Sequence, residues 1–133
     1  MKSTTASVSQ PVAGRMVADE LEADILRVHT SQHLARIKSE SIQPKGGDAS
    51  DGTSPFGKGG YDIAMLSAGG AIELVKHIVA GTVDNGYALV NPPGHHATRA
   101  TGMGFCVFNN VSVAAAYEKS VLGIDRPAAT GQR

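Results

Sequence analysis

Ala88-Leu89-Val90-Asn91-Pro92-Pro93-Gly94-His95-His96-Ala97 runs on, past Thr101, into Gly102-Met103-Gly104-Phe105-Cys106-Val107-Phe108-Asn109-Asn110. Tyr87 to Val90 is apolar but too short for a helix. Pro92-Pro93 then remove two backbone donors and hold the chain extended, so the run predicts a buried strand that stops at a loop. Gly94 opens backbone angles closed to other residues, which predicts a turn that sets two histidines at the strand end, where parallel α/β sheets commonly carry catalytic groups. On a regular strand His95 and His96 would face opposite ways. A Pro-Pro-Gly turn can aim both into one cleft.

Working outward, Asn109 or Asn110 caps a predicted helix from Val111 to about Leu122, which Gly123 closes. Strand, functional loop and returning helix in that order form the repeating unit of an α/β parallel sheet. Upstream, Tyr61 to Ala80 is the strongest helix, with Ile63, Leu66, Gly70, Leu74 and Ile78 on one face, Asp62 in the first turn and Gly81 at the end. Small residues at Ala64, Ala68, Gly69, Gly70 and Ala71 permit close packing on it. Between Ser41 and Gly60 the density of Gly and Pro predicts a long surface loop, a candidate rim for a substrate entrance. Thr30 or Ser31 caps a further helix through Lys38. His29 and His33 lie four apart, a spacing that could chelate a metal on a continuous helix. Thr30-Ser31 breaks that helix, however, and no acidic or cysteine partner is spaced to complete a site, so both read as structural.

Composition narrows the function classes. Lys and Arg number 12 against 12 Asp and Glu, a net charge of zero that offers no footprint for nucleic acid or an anionic membrane. The single cysteine, Cys106, excludes an internal disulfide and suits a reducing cytoplasm. No apolar run approaches a membrane span, and Met1 to Arg15 lacks the apolar core of a signal peptide. Lys2 to Gln10 reads as a mobile arm. Gly102-x-Gly104 after a strand suggests a dinucleotide loop, but Val107 occupies the third glycine position and no helix starts there to receive a pyrophosphate.

The run Pro92 to Ala97, followed by Met103 to Asn110 and an Ala-rich segment ending at Tyr117, resembles the zinc-dependent histone deacetylase and acetylpolyamine amidohydrolase family. Leu89 to Pro93 and Gly46-Gly47-Asp48 are most similar to bacterial histone-deacetylase-like amidohydrolases of the class II type. The resemblance covers roughly Asp24 to Arg126. It implies an α/β fold, the N-terminal part of an arginase/deacetylase-type domain with a parallel sheet flanked by helices. Residues 1–18 would be a flexible arm, 19–126 a partial deacetylase domain and 127–133 a non-matching tail. The implied activity is zinc-dependent amide hydrolysis of acetyl-lysine or acetylpolyamine.

By that resemblance His96 is the general base and acid and His95 its electrostatic partner. The Gly104 carbonyl meets the substrate amide, and Phe105 walls the acyl-lysine channel. Asp51, or next Asp48, accepts hydrogen bonds from the substrate backbone. Cys106 and Phe108 are packing residues. The family's zinc ligands, an aspartate and a histidine on the strand after Gly123 and a second aspartate much further on, match no position here. The alternative is an inactive fragment serving as a binding or regulatory module; acyl preference and oligomeric state stay open. The 133-residue chain by itself is therefore expected to be poorly stable, to hold no stoichiometric zinc and to leave a fluorogenic acetyl-lysine substrate uncleaved. Metal analysis of the purified chain, with an assay beside a full-length relative, checks this.

Overall fold

A computed structural model describes residues 21–50 and 52–129; the predicted arm over residues 1–18, Asp51, and the tail beyond residue 129 lie outside them. Residues 21–25 are helical. They are followed by α1 (Ser31–Ser41), the short strands β1 (Gly47–Asp48) and β2 (Pro55–Phe56), α2 (Gly60–Val79) and α3 (Asn110–Ser120). Each helix starts and stops where local chemistry allows. Thr30 caps α1, its hydroxyl accepting the His33 amide at 3.2 Å. At the start of α2 no side chain of the N-cap helps; instead Ser41 takes the Tyr61 amide on its hydroxyl at 3.0 Å and the Gly59 amide on its carbonyl at 2.9 Å. Gly81, at φ 75°, ends α2 in the left-handed conformation that glycine enters freely.

The core gathers Ile25, Leu34, Ile37, Met65, Ala68, Ile72, Phe108 and Val113. It departs from expectation on α2. The buried stripe there is Tyr61, Ala64, Met65, Ala68 and Ile72, while Ile63 and Leu66 of the expected face are about half exposed. The helix is apolar on two sides, and its small-residue side admits neighbours closely: a Cβ on Gly69 would sit 3.4 Å from Leu21 and one on Gly70 2.9 Å from Val90. Close approach by the neighbours decides which stripe is covered.

The expected parallel sheet is not found among the described residues. Residues 87–90 run without strand pairing, and Tyr87 and Leu89 are each 93% exposed. A strand exists through a neighbour's amides and carbonyls, and here no described segment lies alongside. The sheet that does form is a two-stranded antiparallel one inside the predicted Ser41–Gly60 loop, with Gly47 opposite Phe56 and Asp48 opposite Pro55. Among the described residues no helix is long and apolar enough to cross a membrane.

Ile37 is fully buried and Ile42, just past the end of the same helix, is 72% exposed. Ile37→Ala is expected to lower unfolding stability by about 2–5 kcal/mol, and Ile42→Ala by no more than about 0.5 kcal/mol, as measured by urea unfolding.

Candidate functional site

Pro92, in a cis peptide bond with Asn91, leads into the dihistidine loop. Its carbonyl is gripped from two sides, by the Ser67 hydroxyl of α2 at 2.7 Å and the Asn110 amide group of α3 at 3.2 Å; Asn110 also donates to Ser67 at 2.9 Å. Gly94 is needed for a reason the sequence does not display. Its φ is not positive, so the turn makes no use of glycine's special angles. A Cβ there would instead lie 2.4 Å from the Asn110 amide nitrogen and 2.7 Å from the Phe108 carbonyl, which only glycine avoids.

Beyond this contact the loop presents His95 and His96 to solvent, their rings 4.1 Å apart between centroids and tilted by 53°. The rings lie side by side, and among the described residues no side chain hydrogen-bonds to either. The His96 amide donates to the Cys106 sulfur at 3.4 Å, and the Cys106 thiol reaches the Gly104 carbonyl at 3.7 Å. Cys106 is fully buried, so it packs, as expected, and also ties the histidine loop to the next turn.

That turn runs from Met103 to Cys106, which exchange both backbone hydrogen bonds, at 3.1 and 2.9 Å. Gly104 and Phe105 at its tip have φ of 53° and 70°, the pair of positive values that two-residue hairpin turns of type I′ require. For Phe105 this is an unusual conformation. It is held from outside: Thr53 accepts the Phe105 amide on its carbonyl at 2.8 Å and the Gly104 amide on its hydroxyl at 3.2 Å. The Phe105 ring is 71% exposed beside the histidines' loop, and a Cβ on Gly104 would come within 3.0 Å of the His96 ring.

Thr53 stands on a loop that Asp48 organises. One Asp48 carboxylate oxygen accepts from the Ser50 amide at 2.8 Å, the Ser50 hydroxyl at 2.9 Å and the Ser54 amide at 3.3 Å. Burial alone would raise this carboxyl, but the hydrogen bonds outweigh it and hold it below the usual carboxylate range. Arg36 of α1 clamps the same loop, donating to the Asp48 and Ser50 carbonyls at 2.8 and 2.9 Å. Asp51, the first candidate for substrate contact, lies outside the described residues.

Beneath the site lie His29 and His33, each 2% exposed. His29 Nε2 accepts the Asn109 amide at 2.9 Å and Nδ1 donates to the Arg99 carbonyl at 3.1 Å; His33 Nε2 donates to the Val107 carbonyl at 2.9 Å. Burial lowers both pKa values, so both rings are neutral near pH 7. Together with Asn110, Ser67, Thr53 and Arg36 these are the supports that sequence inspection passes over. The doubled asparagine was the available signal: Asn109 caps α3, its side chain accepting the Ser112 amide at 3.0 Å, and Asn110 is freed to hold Pro92.

The residues present do not fit the zinc ion of the resembling family. Both His29 nitrogens and one of His33 are already engaged, and no group of three or more His, Cys, Asp or Glu able to hold a metal occurs among the described residues.

Paired imidazoles open to solvent thus stand beside an exposed aromatic at a clamped turn. The chain belongs to the histone deacetylase family, whose domain model matches residues 4–127. It is 42% identical over 107 residues to the histone deacetylase-like amidohydrolase of Pseudomonas aeruginosa, covering 80% of this chain and 28% of that relative. Human polyamine deacetylase HDAC10 is 52% identical over 66 residues, 50% of this chain and 10% of its own length. Among solved structures, the HDA15 HD domain superposes with a TM-score of 0.69 at 34% identity, covering 74% of this chain and 28% of that one. The chain thus spans less than a third of these relatives, and the fold it shares is that of a deacetylase domain.

The Gly94 contact is with backbone and cannot give way, whereas a Cβ on Gly57 would meet nothing within 4 Å. Gly94→Ala is therefore expected to cost about 1–3 kcal/mol or more, and Gly57→Ala to stay within about 0.5 kcal/mol, in the same urea assay.

Proposed function

We propose that this chain forms the part of a zinc-dependent deacetylase domain that moves protons and lines the acyl channel during hydrolysis of an acetyl-lysine or acetylpolyamine amide. The supporting observation is the presentation of His95 and His96 as a close, solvent-facing pair next to the Gly104–Phe105 turn. The zinc, which family relatives imply, would be held by residues elsewhere in the complete domain, where it would supply Lewis-acid chemistry; proton transfer and contact with the acyl chain belong to residues of this chain.

Amide hydrolysis needs a proton taken from the attacking water and one given to the leaving amine. A neutral imidazole can do the first, and the imidazolium that results can do the second. His96 takes this role. Its amide is anchored through Cys106 to the turn that meets the substrate, so its place relative to the substrate is set by the backbone. His95, 4.1 Å away between ring centroids, is its electrostatic partner. Phe105 offers an aromatic wall to an apolar acyl-lysine stem, and the Gly104 carbonyl is the acceptor for the substrate amide. Asp51 accepts from the substrate backbone; Asp48 is less suited, because one of its oxygens is already taken up by three donors in its own loop. Residues 19–126 are the deacetylase portion. A buried, unpaired thiol at Cys106 accords with a reducing, cytoplasmic setting.

The test is a chimera in which this chain replaces the matching segment of the Pseudomonas aeruginosa relative, assayed with acetyl-lysine peptides and acetylpolyamines. His96→Ala should lower kcat by about 10²- to 10⁴-fold while zinc content is retained. Phe105→Ala should mainly raise KM. Full activity of His96→Ala, or loss of the metal in place of the turnover, would overturn the assignment.

A further inference from the structure

We infer that His29 is a positioning residue for the dihistidine loop, a clasp that holds the Arg99 carbonyl on one side of its ring and the Asn109 amide on the other. The inference deepens the deacetylase proposal and rests on it in taking His95 and His96 as the groups to be placed.

The two contacts leave the ring one form. The Asn109 amide can only donate, so Nε2 at 2.9 Å must present its lone pair; the Arg99 carbonyl can only accept, so Nδ1 at 3.1 Å must carry the proton. Only the neutral Nδ1–H tautomer satisfies both. The contacts join His29 to residues 70 and 80 positions away, one just past His95-His96 and the other at the end of the Gly-Phe turn. The Arg99 carbonyl also accepts the Thr30 amide at 3.0 Å, so the start of α1 shares the grip.

Asn109 passes the hold on. As the N-cap of α3 its own amide has no partner in the helix, and His29 supplies one. With its backbone fixed, its side chain donates to the Ala97 carbonyl at 3.0 Å, directly after His96. A ring that lost Nε2 as an acceptor would free Asn109 and, with it, Ala97.

The surroundings favour the neutral ring. The Phe108 ring lies 5.5 Å away and the His33 ring 5.1 Å away, centroid to centroid. On the α1 side His33 acts against a charge on His29, as Arg36 does against one on His33, and among the described residues no carboxylate hydrogen-bonds to either histidine. Burial is the largest cause of the downward shift of His29. The clasp is therefore intact above the unfolded histidine value of about 6.5 and is lost as pH falls below it through the lower folded value. His33 behaves differently. It donates through Nε2 and keeps that proton when charged, so its contact with Val107 survives acid and only His29 loses an acceptor.

The experiment is hydrogen–deuterium exchange by mass spectrometry on the full 133-residue chain, at micromolar concentration and corrected for intrinsic rates, between pH 7.5 and 5. Wild-type protection over residues 95–110 should fall as pH drops below about 6.5, before protection in α2 does. His29→Leu should lower loop protection about tenfold or more at pH 7.5, leave α2 protected and diminish the pH step. His29→Gln, which keeps an acceptor and a donor at the ring's reach, should restore part of the protection without the step. Loop protection unchanged in His29→Leu, equal loss in α2 and the loop, or an undiminished pH step in both variants would each overturn the inference. Because exchange is read instead of turnover, a failed deacetylase assay would leave this result standing.

Discussion

The site hangs on one backbone contact, between Gly94 and the entry to α3. Gly94 lies so close to the Phe108 carbonyl and the Asn110 amide that no side-chain carbon fits between them. Everything on either side inherits its position from that approach. Before it, the Pro92 carbonyl is caught by Ser67 and Asn110; after it, the Ala97 carbonyl is caught by Asn109. Two consecutive asparagines therefore bracket the dihistidine loop, one at each end, and the helix they begin serves as its anchor.

A division of labour among the histidines follows from burial. His29 and His33 are sunk under the loop, hydrogen-bonded to backbone and neutral, where a charge would be costly. His95 and His96 stand in solvent, with ring nitrogens unoccupied by any described side chain and so available to a substrate. The buried pair is tied to the backbone, and the open pair is not. Asp48 holds its own turn together in the same way, one carboxylate oxygen accepting from three donors of that loop.

The Gly104–Phe105 turn is held by three separate stretches. Arg36 on α1 clamps the loop that carries Thr53, Thr53 clamps Gly104 and Phe105, and Cys106 links that turn to His96. Phe105 stays at a positive φ because outside groups over-determine it, the usual condition for keeping a strained residue at a functional place. Phe105 is thereby left 71% exposed.

Local chemistry by itself determined the helices, narrowed their caps to Thr30 or Ser31 and Asn109 or Asn110, and set the glycine stops at Gly81 and Gly123 and the loop that carries the histidines, because each depends on residues within a turn or two of one another. The motif also sufficed to name the family. The remaining features are matters of distant partners. Spacing placed the apolar face of α2 at Ile63, Leu66, Gly70, Leu74 and Ile78, whereas packing covered Tyr61, Ala64, Met65, Ala68 and Ile72. It offered a strand at Tyr87 to Val90, but a strand is a relation between segments, and among the described residues none lies beside it. It offered Gly94 as a turn glycine, whereas the reason for glycine there is Phe108 and Asn110 across the fold. His29 looked like an unremarkable helix-end histidine, since the carbonyl and amide that give it a task lie 70 and 80 residues away.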